Sequence, residues 1–300
     1  MNRFPKLFTG LVLGVLIQAQ SASAADASAV ERGRYLVNTI LACGNCHTPK
    51  AADGQPIAGK ELSGAGLSFN APFFAGAASN ITPDRETGIG NWNDDELKRA
   101  ITQGLRPDHG RLASVPLAPM MWVAFYKAMT PGDLNAVVAY LRSVPAVRHE
   151  VPLSEYKRQM PRQPYPDAEK GFTEVDQQSP VRRGAYLVTI GHCMECHTPA
   201  KDGKTLYEQA LGKGGKRYGP GLVKGYPADW SGSVSRNITS HPEAGIGRWT
   251  DAEIKRAITQ GISRDGHPLK PPMGFSWYAG LKDADLDAIV AWLRTLPALE

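Results

Sequence analysis

Beyond its first 24 residues the sequence has no long apolar run, so the expected mature chain offers nothing near the ~20 residues of a membrane-spanning helix. It has no basic block either. The net charge of +5 includes Arg3 and Lys6, and without the two of them, the only charges in residues 1–24, it is +3. A mild excess spread along the chain gives no reason to expect a nucleic-acid partner. Sustained apolar/polar alternation is missing, which argues against strands as the main structure. Cysteine is scarce, at four, and falls as Cys43/Cys46 and Cys193/Cys196, each pair followed at once by a histidine. A framework of two disulfides would give no reason for that histidine to occur twice.

Proline (23) and glycine (31) are plentiful, which predicts long Gly/Pro-rich loops around modest helices. Residues 1–24 read as a signal peptide: a positive start, an apolar stretch from Leu7 to Ile17, and small residues ending at Ala24. Cleavage near Ala24 would place the mature chain in the periplasm. The apolar stretch is short for a retained anchor, the other reading of this segment.

The chain repeats itself. YLVNTILACGNCHTP (35–49) matches YLVTIGHCMECHTP (186–199) with one residue deleted, and NITPDRETGIGNW (80–92) matches NITSHPEAGIGRW (237–249). ELKRAITQG (96–104) and EIKRAITQG (253–261) differ at a single position, and DLNAVVAYLRSVP (133–145) is echoed by DLDAIVAWLRTLP (285–297). A repeat of about 120 residues is far beyond solenoid periods and indicates two tandem domains. These are placed at 25–148 and 181–300. The charged, proline-rich segment 149–180 has no counterpart and reads as a linker.

Helical signals recur in each copy. Residues 29–42 and 182–192 carry apolar residues at helical spacing just before the cysteines. Asn93-x-x-Glu96 and Thr250-x-x-Glu253 are capping boxes, and Gly104 and Gly261 stand where those helices should end. A last helix, started in the first copy by Thr130-Pro131, carries Leu134, Val137, Val138 and Leu141, matched by Leu286, Ile289, Val290 and Leu293. The expected class is all-α.

C-x-x-C-H is the attachment motif of c-type haem. Two thiols at i and i+3 reach the two vinyl groups of one porphyrin, and the next histidine lies beneath the iron. Cys43, Cys46, Cys193 and Cys196 are the expected thioether positions, His47 and His197 the expected iron ligands, and two covalent haem c groups the expected cofactors. A thioredoxin-like dithiol would need a βαβ context, and structural zinc would need further ligands at finger spacing. The sequence supplies neither.

A sixth ligand is sought among the methionines. Met273 is five residues before Tyr278, which is eight before Leu286. Met121, Tyr126 and Leu134 repeat those intervals, so Met121 rather than Met120 is its equivalent. Thioether ligation suits an iron that exchanges one electron. His109, His149, His241 and His267 read as solvated loop residues, and His192, which faces Ala42 in the other copy, as no shared ligand. Trp92 and Trp249 are expected in core packing, and Asn80 and Asn237 in loop turns. Gly33 with Tyr35, and Gly184 with Tyr186, are expected against the closing helix near Tyr140 and Trp292.

The pattern RGRYLV…CGNCHTP…NITPD…GIGNW…ELKRAITQG…M…DL.A.VAYLR resembles class I cytochrome c, and it occurs twice. Together the copies resemble bacterial periplasmic dihaem cytochromes c, and they are similar in their repeats to the cytochrome subunits of alcohol and gluconate dehydrogenases. The resemblance implies an electron carrier rather than an enzyme. Its partners would be an upstream dehydrogenase and a downstream cytochrome or terminal oxidase of a respiratory chain. A dihaem peroxidase with one open iron is the competing expectation, and paired methionines argue against it.

Overall fold

In a computed structural model of the chain, residues 26–107, 117, 120–156 and 162–300 are described. The expected signal peptide and His109 lie outside them. The first repeat runs through helix α1 (26–38), the motif helix α2 (Cys43–His47), α3 (Asp94–Gln103), the one-turn α4 (Val123–Tyr126) and α5 (Pro131–Ser143). After α6 (Pro166–Lys170), the second repeat follows the same order: α7 (Pro180–Ile190), the motif helix α8 (Cys193–His197), α9 (Asp251–Gln260), α10 (Phe275–Tyr278) and α11 (Asp283–Leu293).

The local signals act as their chemistry requires. Asn93 Oδ1 accepts from Glu96 N at 2.9 Å while Glu96 Oε2 accepts from Asn93 N at 2.7 Å, and Thr250 and Glu253 do the same for α9 at 3.2 and 2.7 Å. Gly104 and Gly261 end α3 and α9 in the left-handed conformation, at φ 70° and 65°. The helices before the motifs end sooner than the apolar spacing suggests, at 38 and 190 rather than at 42 and 192. Ala42 and His192 take positive φ, 46° and 45°, which breaks the first helix and starts the motif helix in a new direction.

The all-α expectation is corrected by short strands: β1 (Ser68–Ala71), β2 (Phe74–Ala77), β3 (Glu155–Tyr156), β4 (Ala200–Lys201), β5 (Lys204–Thr205), β6 (Arg217–Tyr218), β7 (Val223–Lys224) and β8 (Ser233–Val234). At two to four residues each they are too short to show a period of two in sequence. One antiparallel sheet, in the order β3-β2-β1-β7, draws on both repeats and the segment between them. Ser68 faces Lys224 and Phe69 faces Val223, so a loop of the second repeat adds a strand to a hairpin of the first. Gly225, at φ 107°, lets that loop pass so close to Gly66 that a Cβ would stand 2.3 Å from its carbonyl oxygen.

The repeats share one hydrophobic cluster, and the segment read as a linker contributes to it. Tyr165, Ala168 and Phe172 are buried, and the Tyr165 ring stacks on Phe125 at 4.7 Å. Gln163 exchanges two hydrogen bonds with the backbone of Thr205, each 2.7 Å. Within each repeat the helix before the motif lies directly on the closing helix. A Cβ on Gly33 would stand 1.9 Å from Ala136 O, and one on Gly184 1.9 Å from Ala288 O, as expected of those glycines.

Their tyrosines act differently from the expectation. Tyr35 donates across the interface to Asp285 Oδ2 at 2.6 Å, and Tyr186 donates in return to Asp133 Oδ2, also at 2.6 Å. Each buried carboxylate is completed by an arginine of its own repeat. Arg32 binds Asp133 through two nitrogens at 2.7 and 2.8 Å, and Arg183 Nε binds Asp285 at 2.5 Å. Burial first, and the facing carboxylates second, push both phenols above their ordinary range, so they remain donors. Among the described residues no helix is long and apolar enough to cross a membrane.

Removing one phenol leaves its carboxylate half-satisfied in the core. Tyr35→Phe and Tyr186→Phe are each expected to cost about 1–3 kcal/mol of unfolding free energy. Urea denaturation of the two variants checks this, and a loss below ~0.3 kcal/mol in both would show the clasp to be idle.

Candidate haem centres

The two motif helices are single turns, so the thiols at i and i+3 share one face. Cys43, Cys46, Cys193 and Cys196 are all free thiols and half-buried. Burial pushes Cys43 and Cys193 up to about 12 and Cys46 to about 11, and Cys196 is raised as well. Neutral thiols are poor metal ligands and poor dithiol catalysts, because the thiolate serves both roles. Among the described residues no group of three or more His, Cys, Asp or Glu side chains is arranged to hold a metal ion.

The histidines are oriented alike. His47 Nδ1 lies 2.7 Å from the Ser79 carbonyl oxygen and His197 Nδ1 lies 2.8 Å from that of Arg236. A carbonyl can only accept, so Nδ1 carries the proton and donates, leaving the Nε2 lone pair free. Burial holds both rings below the ordinary histidine range, which keeps them neutral.

The Thr-Pro that follows locks this orientation. Thr48 Oγ1 accepts from Leu62 N at 3.0 Å and Thr198 Oγ1 from Gly212 N at 3.3 Å. The carbonyls of His47 and His197 accept from Gly64 N and Gly214 N, at 2.6 and 2.7 Å. Asn80 and Asn237 turn the next loop, each side-chain oxygen accepting from the threonine two residues on. Their amides reach the ends of the repeats, at Val147 O and Leu299 O.

Met121 and Met273 both pack against the shared core, as do Trp92 and Trp249. The loop carrying Met273 is tied by Trp230 and Ser233, which donate to Pro271 O. His149 and His241 are not idle in solvent. His149 Nδ1 meets Ser63 O at 2.8 Å, and His241 Nδ1 accepts from Ala244 N at 2.9 Å. His267 is exposed, as expected. His192 is half-buried at the interface, its ring 5.4 Å from that of Trp122 and 6.0 Å from that of Tyr126.

Each motif is therefore walled by the methionine-bearing segment of the other repeat. Trp122 and Tyr126 meet His192 beside Cys193. In return the Trp277 ring covers Gly44, where a Cβ would come within 2.1 Å of it. Sequence reasoning missed this reciprocity, although one signal was visible: Gly44 faces Met194 in the repeat alignment, and Met194 is fully buried. Burial first, with Cys193, Cys196 and, across the interface, Cys46 nearby, pushes the Tyr278 phenol above its ordinary range.

A cytochrome c family model matches residues 30–145 and again 181–297. The chain belongs to the cytochrome c family. It is 31% identical to the cytochrome c subunit of a quinone alcohol dehydrogenase from Gluconacetobacter polyoxogenes, over 99% of this chain and 62% of that one. It is 30% identical to a gluconate 2-dehydrogenase cytochrome c subunit from Pantoea cypripedii, over 98% of this chain and 65% of that one. It is 27% identical to a diheme cytochrome c-type protein of Cereibacter sphaeroides, over 86% of this chain and 83% of that one. The chain thus spans less than two thirds of the length of the first two. Cytochrome c domains imply covalently bound haem c, and the donor set here fits that group: paired neutral thiols on one helical face and an adjacent imidazole with its Nε2 free.

Filling the space above Gly44 should force the two cytochrome c domains apart. Gly44→Ala is expected to lose about 1–3 kcal/mol through overpacking against Trp277. Trp277→Phe, the residue type found at Phe125 in the first domain, should recover part of it in the double variant. Thermal unfolding of the three proteins decides, and strict additivity of the two changes would contradict the contact.

Proposed function

We propose that the protein is a periplasmic dihaem electron carrier, exported by residues 1–24, with cytochrome c domains at 25–148 and 181–300 joined through 149–180. The observation that carries this reading is the duplicate histidine geometry, in which each Nδ1 is pinned to a carbonyl and each Nε2 is free for iron. Cys43, Cys46, Cys193 and Cys196 would hold the two haems as thioethers. Nε2 of His47 and of His197, with the sulfurs of Met121 and Met273, would ligate the two irons. Bound haem supplies a ferric/ferrous couple that exchanges single electrons.

The chain's own contribution is to hold the imidazoles in one tautomer, to raise their basicity through the carbonyl hydrogen bond, and to wall the sites with aromatic side chains. Thioether ligation favours the reduced iron and closes it to substrate. Two of the named relatives are dehydrogenase cytochrome subunits, which supports a dehydrogenase as electron donor. The acceptor would be a downstream cytochrome or oxidase. Met121 is preferred to Met120 because it alone keeps the intervals to Tyr126 and Leu134 and, like Met273, packs against the core.

Protein matured in a periplasm should exceed its chain mass by two haems after acidic organic extraction. Met121→Ala should open one iron to carbon monoxide and abolish its red-end charge-transfer band, while Met120→Ala should leave both features in place. A single haem by mass, or peroxide turnover by a high-spin native protein, would overturn the reading.

A further inference from the structure

The two motifs differ in the charge placed beside them. In the first, the third residue is the neutral Asn45, whose Oδ1 accepts from Lys50 Nζ at 3.0 Å. That ammonium lies 4.7 Å from the centroid of the Tyr226 ring, a residue of the second domain. Burial lowers Lys50 to about 8, still largely protonated at neutral pH. It is the charged group that bears on Cys46.

In the second motif the corresponding residue is Glu195. Lys216 Nζ meets its Oε1 at 2.7 Å and donates to Thr205 Oγ1 at 3.0 Å, and Tyr207 donates to Glu195 Oε2 at 2.5 Å. Glu195 and Lys216 act on Cys196 with opposite signs. Among the described residues, an ammonium held by a neutral amide therefore stands beside the first motif, and a lysine–glutamate ion pair beside the second.

An electron added to an iron lowers the local charge by one, so a nearby cation favours the reduced state. Asn45 and Glu195 each stand two residues before the motif histidine, so the lysines they hold are anchored at matching positions of the two motifs. Partial burial limits screening by salt, whereas charges on the exposed surface beyond ~10 Å are largely screened. The local difference therefore outweighs the general positive charge of the chain.

We infer that Lys50 makes the first haem the stronger electron acceptor and that the Lys216–Glu195 pair leaves the second the weaker one, so that electrons run inside the chain from the second domain to the first. This rests on the two-haem reading above. With haem bound in both domains, one electron would pass from the second to the first, the donor going from ferrous to ferric and the acceptor from ferric to ferrous. No proton or ligand needs to move. The motif helices already face one another's domains through Trp277 on Gly44 and Trp122 on His192.

Potentiometric titration of the matured protein, followed in the visible haem bands, tests this. Two one-electron waves are expected. Lys50→Gln should move only the upper wave down, by a factor of about ten in electron affinity, or ~59 mV for a one-electron couple. Lys50→Arg should leave that wave in place. Glu195→Gln, which strips Lys216 of its counter-charge, should move only the lower wave up. Low-spin spectra and haem mass check that each variant is intact. Two haems titrating as one wave would overturn the inference alone, as would a Lys50→Gln protein whose upper wave stays put or whose lower wave moves. A single haem by mass would remove the two-haem reading and the inference with it.

Discussion

Two buried carboxylates hold the halves of this molecule together. Asp133 and Asp285 sit near the starts of the closing helices, almost wholly removed from water. Neither could remain there unpaired, since an uncompensated buried charge is among the costliest defects a fold can carry. Each is met from its own domain by an arginine and from the opposite domain by a tyrosine. The arginine alone would neutralise the charge. The tyrosine makes satisfaction of one domain's core depend on the position of the other.

That dependence propagates to the haem centres. With α1 and α7 fixed against the closing helices by the glycine contacts at Gly33 and Gly184, the motif helices that follow have little freedom. The same docking brings Trp277 onto Gly44 and Trp122 and Tyr126 onto His192. The strand exchange of β7 onto β1 and the buried Tyr165 extend the join, so the domains behave as one packed body with a continuous core. An intramolecular electron path needs such a body, because a spacing that fluctuates through a loose linker would vary with every domain rotation.

The local structure was legible in the sequence because its causes are local. The capping boxes at Asn93 and Thr250, the left-handed glycines at 104 and 261, and the helical stripe of the closing helices each depend on residues within a few positions of one another. The thiols and histidines likewise stand on single turns, as C-x-x-C-H requires. The cross-domain contacts were not legible, for a specific reason. Tyr35 and Tyr186 are identical in the two repeats, so alignment cannot say whether each bonds its own domain's aspartate or the other's. The short strands, the buried Tyr165 and the pairing of Lys216 with Glu195 depend equally on distant chain segments. The mismatches Gly44/Met194 and Asn45/Glu195 were the traces that alignment did leave.

On the reading proposed above, two haems would be held, one per domain, in a single clasped unit. An iron-edge anomalous difference map from crystals of the matured protein tests it most directly. Two iron peaks are expected, each between the Nε2 of its motif histidine and the sulfur of Met121 or Met273, with Tyr35 on Asp285 and Tyr186 on Asp133. One iron peak, or two in domains no longer joined through those tyrosines, would contradict it.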